Sequence, residues 1–168
     1  RYGEEIGMGD DLSLEGRGSV RTVMQWSSRE NGGFSSAPVD KLARPAIAQG
    51  EYGYKKLNVT SQQRDPNSIL SWMERAIRTR KQYPEFGSGK WEIVATDKPS
   101  VFAHSSQQNG NTVLAVHNLS AQPHTISLKS AEYPHLLDVY SDRPYEQMDC
   151  NSKEIEISGY GYRWFQVL

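Results

Sequence analysis

Two adjacent carboxylates, Glu4 and Glu5, are the first residues of this chain whose chemistry invites a catalytic reading. A carboxylate pair can cleave a glycosidic bond when one group acts as nucleophile and the other as general acid, about 5 Å apart for retention of configuration. Neighbours on an extended strand point to opposite faces, so Glu4 and Glu5 cannot flank one bond, and both are expected to serve structural hydrogen bonding. His104, His117, His124 and His135 share no metal-ligand spacing and are read as strand and turn residues. Cys150 is the single cysteine, cannot form an internal disulfide, and is read as an ordinary thiol beside a turn. Asn58-Val59-Thr60 and Asn118-Leu119-Ser120 match the N-glycosylation triplet, which matters only in a eukaryotic secretory setting. Trp91, Tyr133, Tyr140, Tyr145, Tyr160, Tyr162 and Trp164 offer either a sugar-stacking platform or core filling, the latter being the usual use of aromatics in a small β-domain.

The elements that must position these residues fall into three stretches. Residues 65–82 carry an apolar stripe of Ile69, Leu70, Met73, Ala76 and Ile77 at helical spacing. Asp65 suits the N-cap and Pro66 the first turn; Arg78, Arg80 and Lys81 complement the C-terminal dipole, and Pro84 stops the helix. After Gly87 and Gly89, short β-prone runs follow: 91–96, 101–106, 112–118, 125–128, 136–140, 154–157 and 163–168. Breaks at Asp97-Lys98-Pro99-Ser100 and Asn109-Gly110 predict an antiparallel β-domain closing into a sandwich or barrel. Residues 7–64 show no sustained period and are dense in Gly, Ser, Pro and Asn. So long a loop is expected to be functional or to belong to a larger body.

Composition narrows the partners. Nineteen Lys plus Arg against 20 Asp plus Glu, with no basic block, argue against a nucleic-acid surface. No apolar run approaches the roughly 20 residues a membrane helix needs, so no membrane partner is expected and a cytoplasmic location is the expectation. No cofactor motif is apparent. The first residue is Arg1, which leaves room for upstream sequence.

Six motifs in order carry a resemblance: Arg1-Tyr2-Gly3-Glu4-Glu5-Ile6-Gly7-Met8, Arg21-Thr22-Val23-Met24-Gln25-Trp26, Asn31-Gly32-Gly33-Phe34, Tyr52-Gly53-Tyr54 with Asn58-Val59, Arg64-Asp65-Pro66-Asn67-Ser68 with Trp72-Met73-Glu74, and Tyr160-Gly161-Tyr162-Arg163-Trp164. Together they resemble the C-terminal portion of the α-amylase superfamily. Arg-Tyr-Gly at the start, Gly9-Asp10-Asp11-Leu12 and Ser27 resemble the trehalose-synthase branch more than the hydrolytic α-glucosidases.

That resemblance implies the last strand, a long loop and a helix of a (β/α)₈ barrel in residues 1–86, and an antiparallel β-sandwich in residues 87–168. It also implies that the catalytic carboxylates lie on earlier strands, so this chain holds none and is expected to be inactive alone, with an upstream barrel segment as its partner. Maltose, trehalose or another α-glucoside would be the substrate of the full enzyme. Arg21 matches the arginine that reaches the innermost glucose subsite, where a planar guanidinium can donate to hydroxyls and a neighbouring carboxylate. Arg17 matches a second arginine ahead of that motif; loop-bracing ion pairs are the alternative for both. Val23 departs from the family's Pro and Gly18 from its Asp, a loosened loop being the expected result. A hydrolytic α-glucosidase or amylase, or a carbohydrate-binding module without chemistry, are the rival functions. A homo-oligomer that covers the helix stripe is a further possibility.

Overall fold

The computed structural model describes residues 2–128, 133, 135–146 and 154–168. Cys150 lies outside the described residues. The chain divides into two compact units, Arg1–Ala76 and Ile77–Leu168.

The first unit is built from short pieces. Single 3-10 turns at Glu4–Ile6, Gly16–Gly18, Glu30–Gly33 and Val39–Lys41 precede a short helix, α1 (Val59–Gln63), and a long one, α2 (Ile69–Gln82), within which the division between the units falls. At the N-terminal edge a turn stands where a strand is expected. Gly3 (φ 89°) and Gly7 (φ 71°) bracket Glu4–Ile6, and the Gly7 N–H donates to the Glu4 carbonyl at 3.0 Å. A strand persists only when its backbone groups pair with a neighbour, and among the described residues this unit contains no strand. The two glycines let the segment close on itself instead.

Helix α2 begins at Ile69, three residues later than an Asp65 cap with Pro66 in the first turn indicates. Asp65 is spent on a turn, its Oδ1 accepting from the Asn67 N–H at 2.8 Å. Ser68 takes the capping role: its Oγ accepts from the Ser71 N–H at 3.1 Å and donates to the Gln62 carbonyl at 2.8 Å. Gln62 Oε1 in turn accepts from the Leu70 N–H at 3.0 Å, tying α1 to the start of α2. The stripe is only partly covered, with Ile69 and Ile77 each 49% exposed while Ala76 is buried.

The second unit is the β-domain. A short helix, α3 (Glu85–Ser88), leads into β1 (Lys90–Ile93), β2 (Val101–Gln108), β3 (Asn111–Asn118), β4 (His124–Ser127), β5 (Leu136–Ser141), β6 (Glu154–Ile157) and β7 (Tyr162–Val167). All seven coincide with the expected runs. They form one antiparallel sheet in the order β1-β2-β3-β7-β5 and a second of β4 with β6. Strand alternation sends Val101, Ala103, Leu114, Val116 and Phe165 from the larger sheet against Ile126, Ile155 and Ile157 from the smaller, which makes the sandwich core. The β2–β3 turn places Asn109 at φ 51° and Gly110 at φ 84°, the paired positive values that a two-residue hairpin of right-handed twist requires.

One charged group enters this sandwich. Arg163, 1% exposed, pairs through its guanidinium with the Asp138 carboxylate and donates to the Glu156 carbonyl at 3.1 Å. Tyr145 lies between two guanidinium groups, Arg143 at 4.1 Å and Arg163 at 4.2 Å from its ring centre.

Both glycosylation triplets prove structural. Asn58 is fully buried, capping α1 by accepting from the Ser61 N–H at 2.9 Å and donating to the Tyr54 carbonyl. Asn118, 2% exposed, donates to the carbonyls of Gln122 and Ser158.

Candidate functional site

Residues 7–64 lack periodicity because isolated side-chain and backbone bonds between separate turns, rather than a regular backbone ladder, hold them. Gln25 is the centre. Fully buried, it donates from Nε2 to the carbonyls of Tyr52 at 3.0 Å and Leu57 at 2.5 Å. The Trp26 and Ser27 N–H groups both donate to the Gly32 carbonyl, at 2.8 and 2.9 Å, which fastens the Asn-Gly-Gly turn to the same strip. Val59 N–H donates to the Gln25 carbonyl and Thr60 N–H to the Trp26 carbonyl, each at 3.0 Å. From the other side the Tyr2 hydroxyl donates to the Thr22 carbonyl at 2.7 Å, and Gln62 Nε2 to the Ile6 carbonyl at 2.7 Å. Motifs separated by up to 56 positions in sequence thus brace one another. A polar residue inside the run Val23-Met24-Gln25-Trp26 was the visible signal of this brace, since a buried amide must find backbone partners.

Within the brace, side-chain direction is fixed. Thr22, Met24 and Gln25 turn inward, and Arg21 is left on the exposed side. Arg17 is also exposed, on the 3-10 turn Gly16–Gly18, and the Arg21 N–H donates to the Gly18 carbonyl at 3.1 Å. One turn therefore presents both guanidinium groups to solvent. Gly18, where the resemblance places an Asp, sits beside another cation: a Cβ built there would lie 3.1 Å from Arg44 Nη1. A carboxylate at this position would lie beside Arg44, and the bare glycine leaves Glu15 as the acid of the turn that the Gly18 N–H closes on the Glu15 carbonyl.

Glu5 Oε2 accepts from the Gly3 N–H at 2.7 Å, a local structural bond. No three His, Cys, Asp or Glu side chains converge on a point among the described residues.

The remaining aromatics and histidines divide by sheet face. Phe102, His104, His117, Tyr140, Tyr162 and Trp164 form a continuous array on the face of the larger sheet opposite the core, with ring centres 5.1 to 6.4 Å apart, and Phe86 of α3 lies 5.0 Å from Trp164. Burial lowers the pKa of His104, and burial followed by the neighbouring His104 lowers that of His117. His124 Nε2 is shared between the hydroxyls of Ser100 and Ser120, at 3.0 and 3.2 Å. Tyr133 packs at the edge of the core, while Trp91 and Tyr160 are largely exposed.

The model of the α-amylase catalytic domain matches residues 2–89, and that of the sucrose hydrolase-like C-terminal domain matches residues 110–166. A trehalose synthase of a Pimelobacter species is 35% identical over 99% of this chain, which spans 30% of that protein. A Thermus thermophilus trehalose synthase is 36% identical over 99% of this chain, here 17% of the relative's length, and a Mycobacterium tuberculosis trehalose synthase/amylase is 32% identical, with 28% of its length covered. Among solved structures, a trehalulose synthase in complex with Tris superposes on 93% of this chain with a TM-score of 0.71 at 21% identity. A Bacillus licheniformis trehalose-6-phosphate hydrolase superposes on 92% with a TM-score of 0.68 at 18% identity. In both, the chain spans 27% of the structure, and the likeness is one of fold.

Proposed function

Because this chain belongs to the α-amylase family, we propose that it is the C-terminal portion of a trehalose-synthase-type enzyme, which interconverts maltose and trehalose by cleaving and re-forming one glucosyl bond. Residues 1–86 act as the last part of its barrel and residues 87–168 as its β-domain. The chain spans less than a third of the length of these trehalose synthases, so the whole enzyme's activity rests on residues outside it. Among the described residues no helix is long and apolar enough to cross a membrane. A cytoplasmic location is part of the same proposal.

The observation that carries this proposal is the cross-braced loop that leaves Arg21 and Arg17 facing outward from one turn. Barrel enzymes place their chemistry on such loops. A planar guanidinium held by a braced backbone can donate two parallel hydrogen bonds to sugar hydroxyls or to an acid bearing negative charge. In a retaining mechanism the acid-bearing strands supply nucleophile and proton donor, while Arg21 holds the glucosyl unit and offsets carboxylate charge. The half-exposed stripe on α2 is assigned to the upstream barrel segment, or to a second copy where that segment is absent.

The test is the full-length enzyme given maltose, with trehalose and glucose both quantified. Trehalose as the major product supports the proposal. Release of glucose alone assigns the chain to a hydrolase and overturns it.

A further inference from the structure

The backbone is held on both sides of Arg21. Ahead of it, the Arg21 N–H donates to the Gly18 carbonyl at 3.1 Å; after it, the Thr22 carbonyl accepts from the Tyr2 hydroxyl at 2.7 Å, an ordinary length for an O–H···O bond. The second bond spans 20 positions of sequence and falls on the peptide group that joins Thr22 to Val23. Val23 leaves φ free to rotate there, where a proline would restrict it. The Tyr2 hydroxyl therefore supplies a restraint that residue 23 does not.

Tyr2 is fixed from its own side as well. Gly3, the next residue, adopts φ 89°, and its N–H donates to Glu5 Oε2 at 2.7 Å. Its carbonyl accepts from the Met8 N–H at 2.9 Å, and Gln62 Nε2 ties the Ile6 carbonyl of the same turn to α1. Glu5 thus serves the turn that carries Tyr2. Anchored at its backbone by that turn and at its hydroxyl by Thr22, the Tyr2 side chain acts as a strut between two segments of the brace. Its single phenolic proton goes to a backbone carbonyl, so any influence on the sugar passes through the residue beside that carbonyl. We infer that Tyr2 is a positioning residue, whose hydroxyl holds the Thr22–Val23 peptide and thereby aims the Arg21 guanidinium at the glucosyl unit. The inference rests on the substrate contact proposed above for Arg21. A planar fork loses one of its two parallel hydrogen bonds when its Cα turns slightly, and a misplacement of about 1 Å is enough to slow catalysis without unfolding the protein.

A double-mutant cycle in the full-length enzyme acting on maltose tests this, with Tyr2→Phe, Arg21→Lys and the two combined. Tyr2→Phe keeps the ring and removes only the hydroxyl. It should lower kcat/KM about five- to tenfold, through the same parameter, KM or kcat, that Arg21→Lys changes, with the melting temperature within about 2 °C of the unmodified enzyme. In the Arg21→Lys background the same change should alter kcat/KM by less than about twofold, because the group it aims is already gone. Losses that multiply in the double variant overturn the inference, and so does a lower melting temperature with near-normal kinetics in Tyr2→Phe. Impaired Arg21→Lys beside an unimpaired Tyr2→Phe removes the positioning role alone. Unimpaired Arg21→Lys removes the proposed substrate contact and this inference with it.

Discussion

The two units reach a fixed structure by opposite routes. In the β-domain, Leu114, Ile126, Ile155, Ile157 and Phe165 are wholly buried, and apolar burial between two sheets does most of the stabilising. In the first unit the buried apolar residues Ile6, Met24, Ala46, Ile47 and Ala76 are accompanied by buried Gln25, Asn31, Asn58 and Ser68, whose side chains bind backbone atoms, Gln25 those of a distant segment and the others those of nearby turns. A hydrophobic core tolerates conservative exchange of its members, whereas a hydrogen-bonded brace loses a specific partner with each change. The brace is therefore the more exacting of the two and holds the loop that carries the arginines.

The comparison sharpens first where the β-domain is most dependent on packing. Phe165→Ala should cost about 4 kcal/mol in denaturant unfolding followed by far-ultraviolet dichroism. A loss below about 1 kcal/mol would mean that the sandwich is not the stabilising core.

Gln25→Ala leaves the Tyr52 and Leu57 carbonyls without their donor and should cost the first unit about 2 kcal/mol. Hydrogen exchange is the suitable measurement, with the amides of Trp26, Ser27, Val59 and Thr60 losing protection and those of β2 and β3 keeping theirs. In the unmodified chain the strands should already exchange more slowly than residues 7–64. Equal protection in both regions would erase the contrast drawn here.

A smaller effect separates the units by pH. His104 and His117 titrate lower in the folded state than their ordinary value near 6.5, because burial disfavours the cation. Between the folded and unfolded pKa values the unfolded chain binds more protons, so stability is complete above about pH 6.5 and declines as pH falls below it. Thermal melts of the β-domain should show that decline, and His104→Gln with His117→Gln should flatten it. A pH-independent melting temperature in the unmodified chain would refute the assignment.

The smallest effect on stability belongs to Arg21. As an exposed residue facing away from the brace, it should tolerate Arg21→Lys with a change within about 0.5 kcal/mol. In the full enzyme the same change removes the planar fork, and kcat/KM on maltose should fall roughly ten- to a hundredfold. Lower thermal stability with near-normal kinetics would make Arg21 a bracing residue.

The contrast between the units also explains what could be read from sequence. Every strand of the β-domain was legible because alternation such as Glu154-Ile155-Glu156-Ile157 reflects burial on one face, a local and periodic property. The start of α2 was misplaced because Asp65 and Ser68 are both competent caps, and only the bond from Ser68 to Gln62 decides between them. The loop was opaque for a stronger reason: its order comes from aperiodic bonds such as Gln25 to Leu57 and Gln62 to Ile6, which no window along the chain contains. Family motifs singled out Arg21 and Arg17 as candidates but gave no hint of the bonds that hold the residues around them.

The two Asn-Gly steps set a chemical clock on the molecule. Asn-Gly is the dipeptide most prone to deamidation, since the following backbone nitrogen can attack the side-chain amide with little hindrance. At Asn31 that amide is buried, its Nδ2 held by the carbonyls of Ser35 at 3.0 Å and Ala37 at 2.8 Å. At Asn109 it stands exposed at the tip of the β2–β3 turn. Ageing of the folded protein will therefore begin at Asn109, adding negative charge and, as isoaspartate, an extra backbone carbon to the hairpin. The turn through the arginine-bearing loop keeps its asparagine for as long as the brace around it stays folded.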